Sequence, residues 1–284
     1  MKNSGFNIKL EQEHSEKTDY IFGAASPTCI ALIPEEERMN YMPKGELQNI
    51  GEEKMDCASR APVNKIEAKL TYLYQNNKLT LAEVNFFNKY GYVNGGRIEC
   101  SDAYIAIKSG TTPEGNSLKA PCQAIHEWGL VPKSILPQLS TFQAHHNPAR
   151  ITSEIEAIAK EFKSLFNVGY DKTYEIDYLK DFYVEAGFAW PEAINGIYPR
   201  DERDFNHAWL GIKNPKHIIF DNYEESKNDF IKQLAIDYKL LEYQYRLYIT
   251  RNITPPKKNI WQRFLEFLQG WNLKQIYKLN YQPT

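Results

Sequence analysis

The sequence predicts an α+β fold, with a helical front lobe, an antiparallel β-sheet back lobe and an added helical C-terminal tail. Two observations carry this reading. Up to Phe166 apolar residues recur at spacings of three and four, the period of a helix with one buried face. Beyond Asp171 short apolar stretches alternate with turn residues, which is the pattern of strands. The chain divides into a leader segment over 1–45, a body over 46–225 and an extension over 226–284, with the helical lobe spanning about 46–140 and the β lobe about 170–225.

Residues 1–45 are polar and turn-rich, with an apolar patch from Cys29 to Ile33, and read as an extended leader crossing the surface. The first strong helix follows Asp56, where Val63, Ile66, Leu70, Leu73 and Tyr74 share one face. Thr80 to Tyr90 is a second helix, ended by Gly91. Ser101-Asp102 caps a third, and Lys108 to Ser117 is a Gly-, Thr- and Pro-rich loop. Leu118 to Trp128 and Ile151 to Phe166 complete the helices. Tyr183 to Trp190, Ala208 to Ile212 and His217 to Phe220 read as strands, the last two joined at Asn214-Pro215. In the extension, Asp229 to Tyr248 is expected to be a helix. After Pro255-Pro256 another carries Trp261, Phe264, Leu265 and Leu268 on one face, expected to dock on the body rather than on a membrane or a protein partner.

Composition excludes several classes. Lys+Arg 34 against Asp+Glu 36 gives a net charge of -2, which is no footprint for nucleic acid. The apolar runs are too short for a transmembrane helix and Met1 to Glu16 holds no secretory signal, so a cytoplasmic location is expected. Four cysteines without C-x-x-C spacing argue for reduced thiols and against structural zinc. His145-His146 reads as a polar loop, two adjacent histidines on a strand pointing opposite ways. No metal or cofactor is called for.

One thiol has the surroundings of a nucleophile. A thiolate is favoured at a helix N-terminus and needs a distant histidine as base, itself held by a third polar group. Cys57 opens the first amphipathic helix. His207 begins a predicted strand, and Asp221 follows the next strand, so that a hairpin between them brings His207 beside Asp221 or its neighbour Asn222. Cys29, Cys100 and Cys122 are expected in the core.

The order Cys, His, Asp resembles that of the papain-like cysteine peptidases. Cys57-Ala58-Ser59 looks like the family's nucleophile helix, and Cys100-Ser101-Asp102 like its "L-S-E-Q" helix start. Asn195-Gly196-Ile197-Tyr198 looks like "G-G-I-F", Asn206-His207-Ala208 like "D-H-A", and Phe220-Asp221-Asn222-Tyr223 like "K-N-S-W". The resemblance covers Gln48 to Tyr223. It implies a two-lobe papain-like fold and hydrolysis of peptide bonds through a thioester, with a peptide or protein as substrate. Cys57 would be the nucleophile, His207 the base and Asp221 its orienting residue. Gln48 would take the oxyanion role across an insertion, since Gly51 stands at the family's glutamine position. Gly115 and Asn116 would pair with substrate backbone.

Asp56 precedes the cysteine and its charge opposes a thiolate, which Arg60 would offset. Pro62 fits the helix only within its first turn. The Cys57–His207 pair is expected as thiolate and imidazolium near neutral pH. Two other classes stay open: an inactive papain-fold structural or binding protein in a larger assembly, and a thiol amidase or acyltransferase acting on cell-wall peptides.

Overall fold

The computed structural model describes residues 5–14, 30–44, 47–177, 180–188, 193–200, 202–213, 217–223 and 230–252. In chain order the helices are α1 (Ile8–His14), α2 (Cys57–Gln75), α3 (Leu81–Tyr90), α4 (Asp102–Lys108), α5 (Lys119–Trp128), α6 (Phe142–His145) and α7 (Ser153–Leu165). Short 3-10 helices span Glu35–Tyr41 and Pro148–Arg150. The strands are β1 (Val93–Asn94), β2 (Arg97–Ile98), β3 (Phe166–Thr173), β4 (Tyr183–Gly187), β5 (Ile197–Tyr198), β6 (His207–Lys213), β7 (Ile218–Phe220), β8 (Ile231–Leu234) and β9 (Gln244–Arg251). β1 and β2 form a small hairpin. The other seven make one sheet in the order β3-β9-β4-β6-β7-β8-β5, antiparallel except for the β5–β8 pair.

Local chemistry explains the helix ends. Thr80 and Glu83 close a capping box at the start of α3, and Gly91 ends that helix in the left-handed conformation. Ser101 caps α4 by accepting from the Tyr104 N–H, and Thr152 caps α7 by accepting from that of Ile155. Pro62 lies in the second turn of α2, not the first, and so removes the bond its N–H would make to the Ala58 carbonyl.

α2 is buried for nearly its whole length, so its polar residues must find partners inside. Lys65 and Lys69 reach Asp181 at 3.1 and 2.8 Å, tying the helix to the residues just before β4. One apolar cluster runs from Val63, Ile66 and Leu70 through Phe162 and Phe166 to Leu210, Leu247 and Ile249, so helices and sheet share a core. β6 alternates across the sheet. Ala208, Leu210 and Ile212 join that core, while Trp209 joins Tyr198, Ile219, Leu234 and Tyr238 in a smaller cluster.

Three expectations need correction. The Asp229–Tyr248 stretch is not a helix: β8 and β9 fall there, and the sheet runs on to Arg251, so a boundary at 225 would cut it. The reason is a period of two, Tyr245, Leu247 and Ile249 being fully buried, and a register that pairs all eight residues of β9 with β3. The sheet also starts earlier than expected, at Phe166. Finally, the leader does not simply cross the surface. Phe6, Glu11, Ala31, Ile33 and Arg38 are buried, and Arg38 donates to the carbonyls of Ile33, Asp181 and Ile212. The amphipathic stretch from Trp261 to Leu268 and the Asn214-Pro215 turn lie outside the described residues.

Candidate active site

Cys57 is the first residue of α2 and has no exposed surface. Its sulfur accepts a hydrogen bond from the backbone N–H of Ala208, which ties the head of α2 to the start of β6. Burial pushes its thiol well above the ordinary range. The Ala208 N–H works against this, while the charges of Glu53, Asp56 and Asp221 add to it. The direction is opposite to the expected stabilised thiolate, because desolvation is the largest influence on the thiol.

The sheet brings the other two residues together. Leu210 faces Phe220 across β6 and β7, and carrying that register three residues further sets His207 opposite Tyr223. Asp221 is then the diagonal neighbour of His207 on the same face. His207 Nε2 and Asp221 Oδ1 lie 2.6 Å apart with both side chains fully buried, and the Tyr223 ring centroid is 5.2 Å from that of His207. With Nε2 committed to Asp221, Nδ1 is the nitrogen through which the ring could exchange a proton with a thiol. Lys232 on β8 donates to Asp221 Oδ2 and to the Tyr223 carbonyl. Burial would raise the Asp221 carboxyl, but Lys232 and then His207 outweigh it and hold the group below the usual carboxylate range. Asn222 turns elsewhere, its amide oxygen 3.4 Å from Asn64 Nδ2.

Gln48 is fully buried beside the same strand end. Its N–H donates to the Asn222 carbonyl at 2.9 Å, and its side-chain amide donates to Glu53 and, at 3.3 Å, to the Tyr223 hydroxyl. Glu53 gathers three donors, since Tyr223 and the Met55 N–H also reach it, at 2.6 and 3.2 Å. The loop between Gln48 and Cys57 is pinned by Lys54, which donates to the carbonyls of Ile50, Glu52 and Ser140. Gly51 has φ +75 and a Cβ there would lie 2.6 Å from the Ser140 oxygen, so packing explains this glycine.

Asn116 pairs with extended backbone of the chain itself, while the backbone of Gly115 pairs with Thr112. Phe6 bridges Asn116 in parallel: Asn116 N–H donates to the Gly5 carbonyl and Asn7 N–H to the Asn116 carbonyl, each at 2.8 Å. Phe6 N–H donates at 3.2 Å to the carbonyl of Asn206, the residue before His207. A Cβ on Gly115 would meet the Gly5 oxygen at 2.3 Å, and one on Gly5 would meet the Met55 carbonyl carbon at 2.4 Å. Residues 5–7 therefore lie against Met55, Asn116 and Asn206.

Asp56 does not act on Cys57 as a lone charge. Arg60 Nε lies 2.8 Å and His145 Nε2 3.1 Å from its carboxylate oxygens, and Arg60 continues to Asp102 and Gln138. Burial would raise the Asp56 carboxyl, but Arg60 and His145 hold it far below the usual range. His145 ends α6 rather than lying in a polar loop. The two histidine rings meet edge to face, and His146 bonds the Lys54 carbonyl at 2.7 Å. The sequence reading missed Glu53 and Lys232. Glu53 belongs to an unpatterned loop, and Lys232 comes from a stretch read as helix, so neither had a local signal. Cys100 and Cys122 are buried free thiols. Among the described residues no helix is long and apolar enough to cross a membrane.

No family model and no curated protein matches the sequence. Among solved structures the chain is similar to xylellain, a cysteine protease from Xylella fastidiosa, with 12% identity over 88% of this chain and 96% of that one and a TM-score of 0.47. It is also similar to digestive procathepsin L 3 of the Tenebrio molitor larval midgut, with 13% identity over 83% and 71% and a TM-score of 0.41.

Proposed function

We propose that the chain is a papain-like cysteine peptidase, hydrolysing peptide bonds at Cys57. The observation that supports it most is the buried His207–Asp221 bond of 2.6 Å beside the head of α2, where Ala208 N–H already reaches the Cys57 sulfur. His207 takes the thiol proton, and the sulfur attacks the substrate carbonyl. The resulting oxyanion is held by the Cys57 N–H, one of the unpaired donors of a helix first turn, and by the Gln48 amide once it leaves Glu53. His207 returns the proton to the leaving amine, which leaves a thioester on Cys57. Water, deprotonated by His207, then releases the acid and restores the thiol. Asp221 accepts from Nε2–H and fixes the ring so that Nδ1 is the nitrogen that takes and returns the proton. Gly115 and Asn116 take the substrate backbone in place of residues 5–7.

A second reading, an inactive papain-like binding protein, is favoured by one observation: Cys57 is fully buried and its thiol is pushed up. Hydrolysis of fluorescein-labelled casein by the full chain, lost in Cys57→Ala, separates the two. Absence of turnover together with unselective labelling of Cys57 would remove the peptidase.

A further inference from the structure

The group that orients His207 is a carboxylate whose second oxygen is not left to solvent. Lys232, 3% exposed on β8, points its ammonium at Asp221 Oδ2 while His207 holds Oδ1. A bare carboxylate beside an imidazole favours the imidazolium, and so makes the ring a poorer proton donor. A cation on the carboxylate's far side removes that bias. Resting on the peptidase reading, we infer that Lys232 is a positioning residue that cancels the charge of Asp221, so that the pair orients His207 as a neutral amide would.

The neighbourhood is consistent with a balance struck locally. β6 presents His207 itself and the Trp209 ring, 5.7 Å away, to this region. β8 presents Lys232. The 221–223 segment adds the Asn222 N–H, which donates to Asp221 Oδ1 at 2.7 Å, and the Tyr223 ring. From α2 come the Cys57 thiol and, against Asn222, the Asn64 amide. The 48–56 loop contributes Glu53 through Tyr223, and Asp56, whose charge Arg60 and His145 answer. Of these cations Lys232 is the one that reaches Asp221.

The charges make a signed prediction. Removing the cation with Lys232→Met leaves Asp221 bare, and the midpoint at which His207 loses its proton should rise by about one pH unit, a tenfold change in proton affinity. Removing the anion with Asp221→Asn leaves the cation bare, and the midpoint should fall by about as much. The double variant Asp221→Asn/Lys232→Met should return to within about 0.3 unit of wild type, and so should Lys232→Arg. Two readouts on the full chain serve: the His207 ring titration by NMR, and the acidic limb of casein hydrolysis against pH, where the base must lose its proton. If Lys232 only braced the fold, Lys232→Met would lower activity evenly and leave both midpoints in place, which overturns the inference. A double variant displaced as far as either single one also overturns it. Should Lys232→Met fail to fold, the double variant, which buries no bare charge, and Lys232→Arg still decide it. Wild-type protein inert on casein removes the peptidase reading, whereas the ring titration tests the charge balance on its own.

Discussion

Two aspartates, Asp56 and Asp221, are fully buried and both bear on the Cys57 thiol, one from the helical side and one from the sheet. Asp56 is answered by Arg60, whose guanidinium stays charged at any working pH, and by His145. Arg60 also spans Asp102 and Gln138, so this cluster braces the loop and the helix start. Asp221 is answered by His207 and Lys232, both able to give up a proton. Asp56 thus always keeps one permanent cation in Arg60, whereas both partners of Asp221 can give up a proton. On the proposed reading, this contrast assigns the proton transfer to the sheet side and the bracing to the helical side.

The largest test of that contrast is His207→Ala, which should cut casein hydrolysis by about 10²–10⁴-fold at a temperature where circular dichroism shows the variant still folded. An equal loss in an Arg60 variant that folds as wild type would break the division. Next, Arg60→Met strands a buried carboxylate and should cost about 3–5 kcal/mol in urea unfolding at pH 7. The sign with pH follows from the depressed Asp56 carboxyl. Its stabilising contribution is complete above the unfolded value near about 4 and is lost as pH falls through the lower folded value. The Arg60→Met penalty should therefore shrink in acid, as the stranded Asp56 takes up a proton. A penalty independent of pH would mean that packing, not charge, is what Arg60 supplies.

A smaller effect concerns residues 5–7, which lie against Met55 and Asn206. Gly5 sits at φ +110 against the Met55 backbone, so Gly5→Val should strain the segment by on the order of 1–3 kcal/mol and open it about tenfold more often. Iodoacetamide labelling of Cys57, read by mass spectrometry against buried Cys100, should rise by that factor. Unchanged labelling would show that residues 5–7 are not what covers the thiol. The smallest is Asn64→Ala, which removes a long 3.4 Å contact to Asn222 and should shift stability by about 1 kcal/mol or less, with the His207 midpoint unmoved.

Much of this arrangement was legible in the residues. The helix opened by Cys57 announced itself through Val63, Ile66 and Leu70, and the capping pair Ser101-Asp102 marked another start. The adjacency of His207 and Asp221 followed from two strands and a short turn. β9 was not legible, because a Tyr- and Leu-rich stretch suits either period until a neighbouring strand selects one. Glu53 and Lys232 stayed hidden for a related reason. A lone charged residue in a loop or a misassigned stretch reads as solvated, and only the bond of Tyr223 to Glu53 and the burial of Lys232 beside Asp221 show otherwise.

What the sequence determined by itself is local: which segments carry a helical or strand period, where helices begin, and which thiol stands at a helix start with a histidine and an aspartate far along the chain. Those properties depend on neighbours a few residues apart, so periodicity and capping report them directly. The tertiary structure decided the rest. It set residues 5–7 against Asn116 and Asn206, buried the Cys57 thiol enough to reverse its expected acidity, and brought Lys232 to the far oxygen of Asp221. Each of these is an electrostatic or desolvation effect between groups remote in sequence. Its sign depends on distance and burial, which no spacing along the chain encodes.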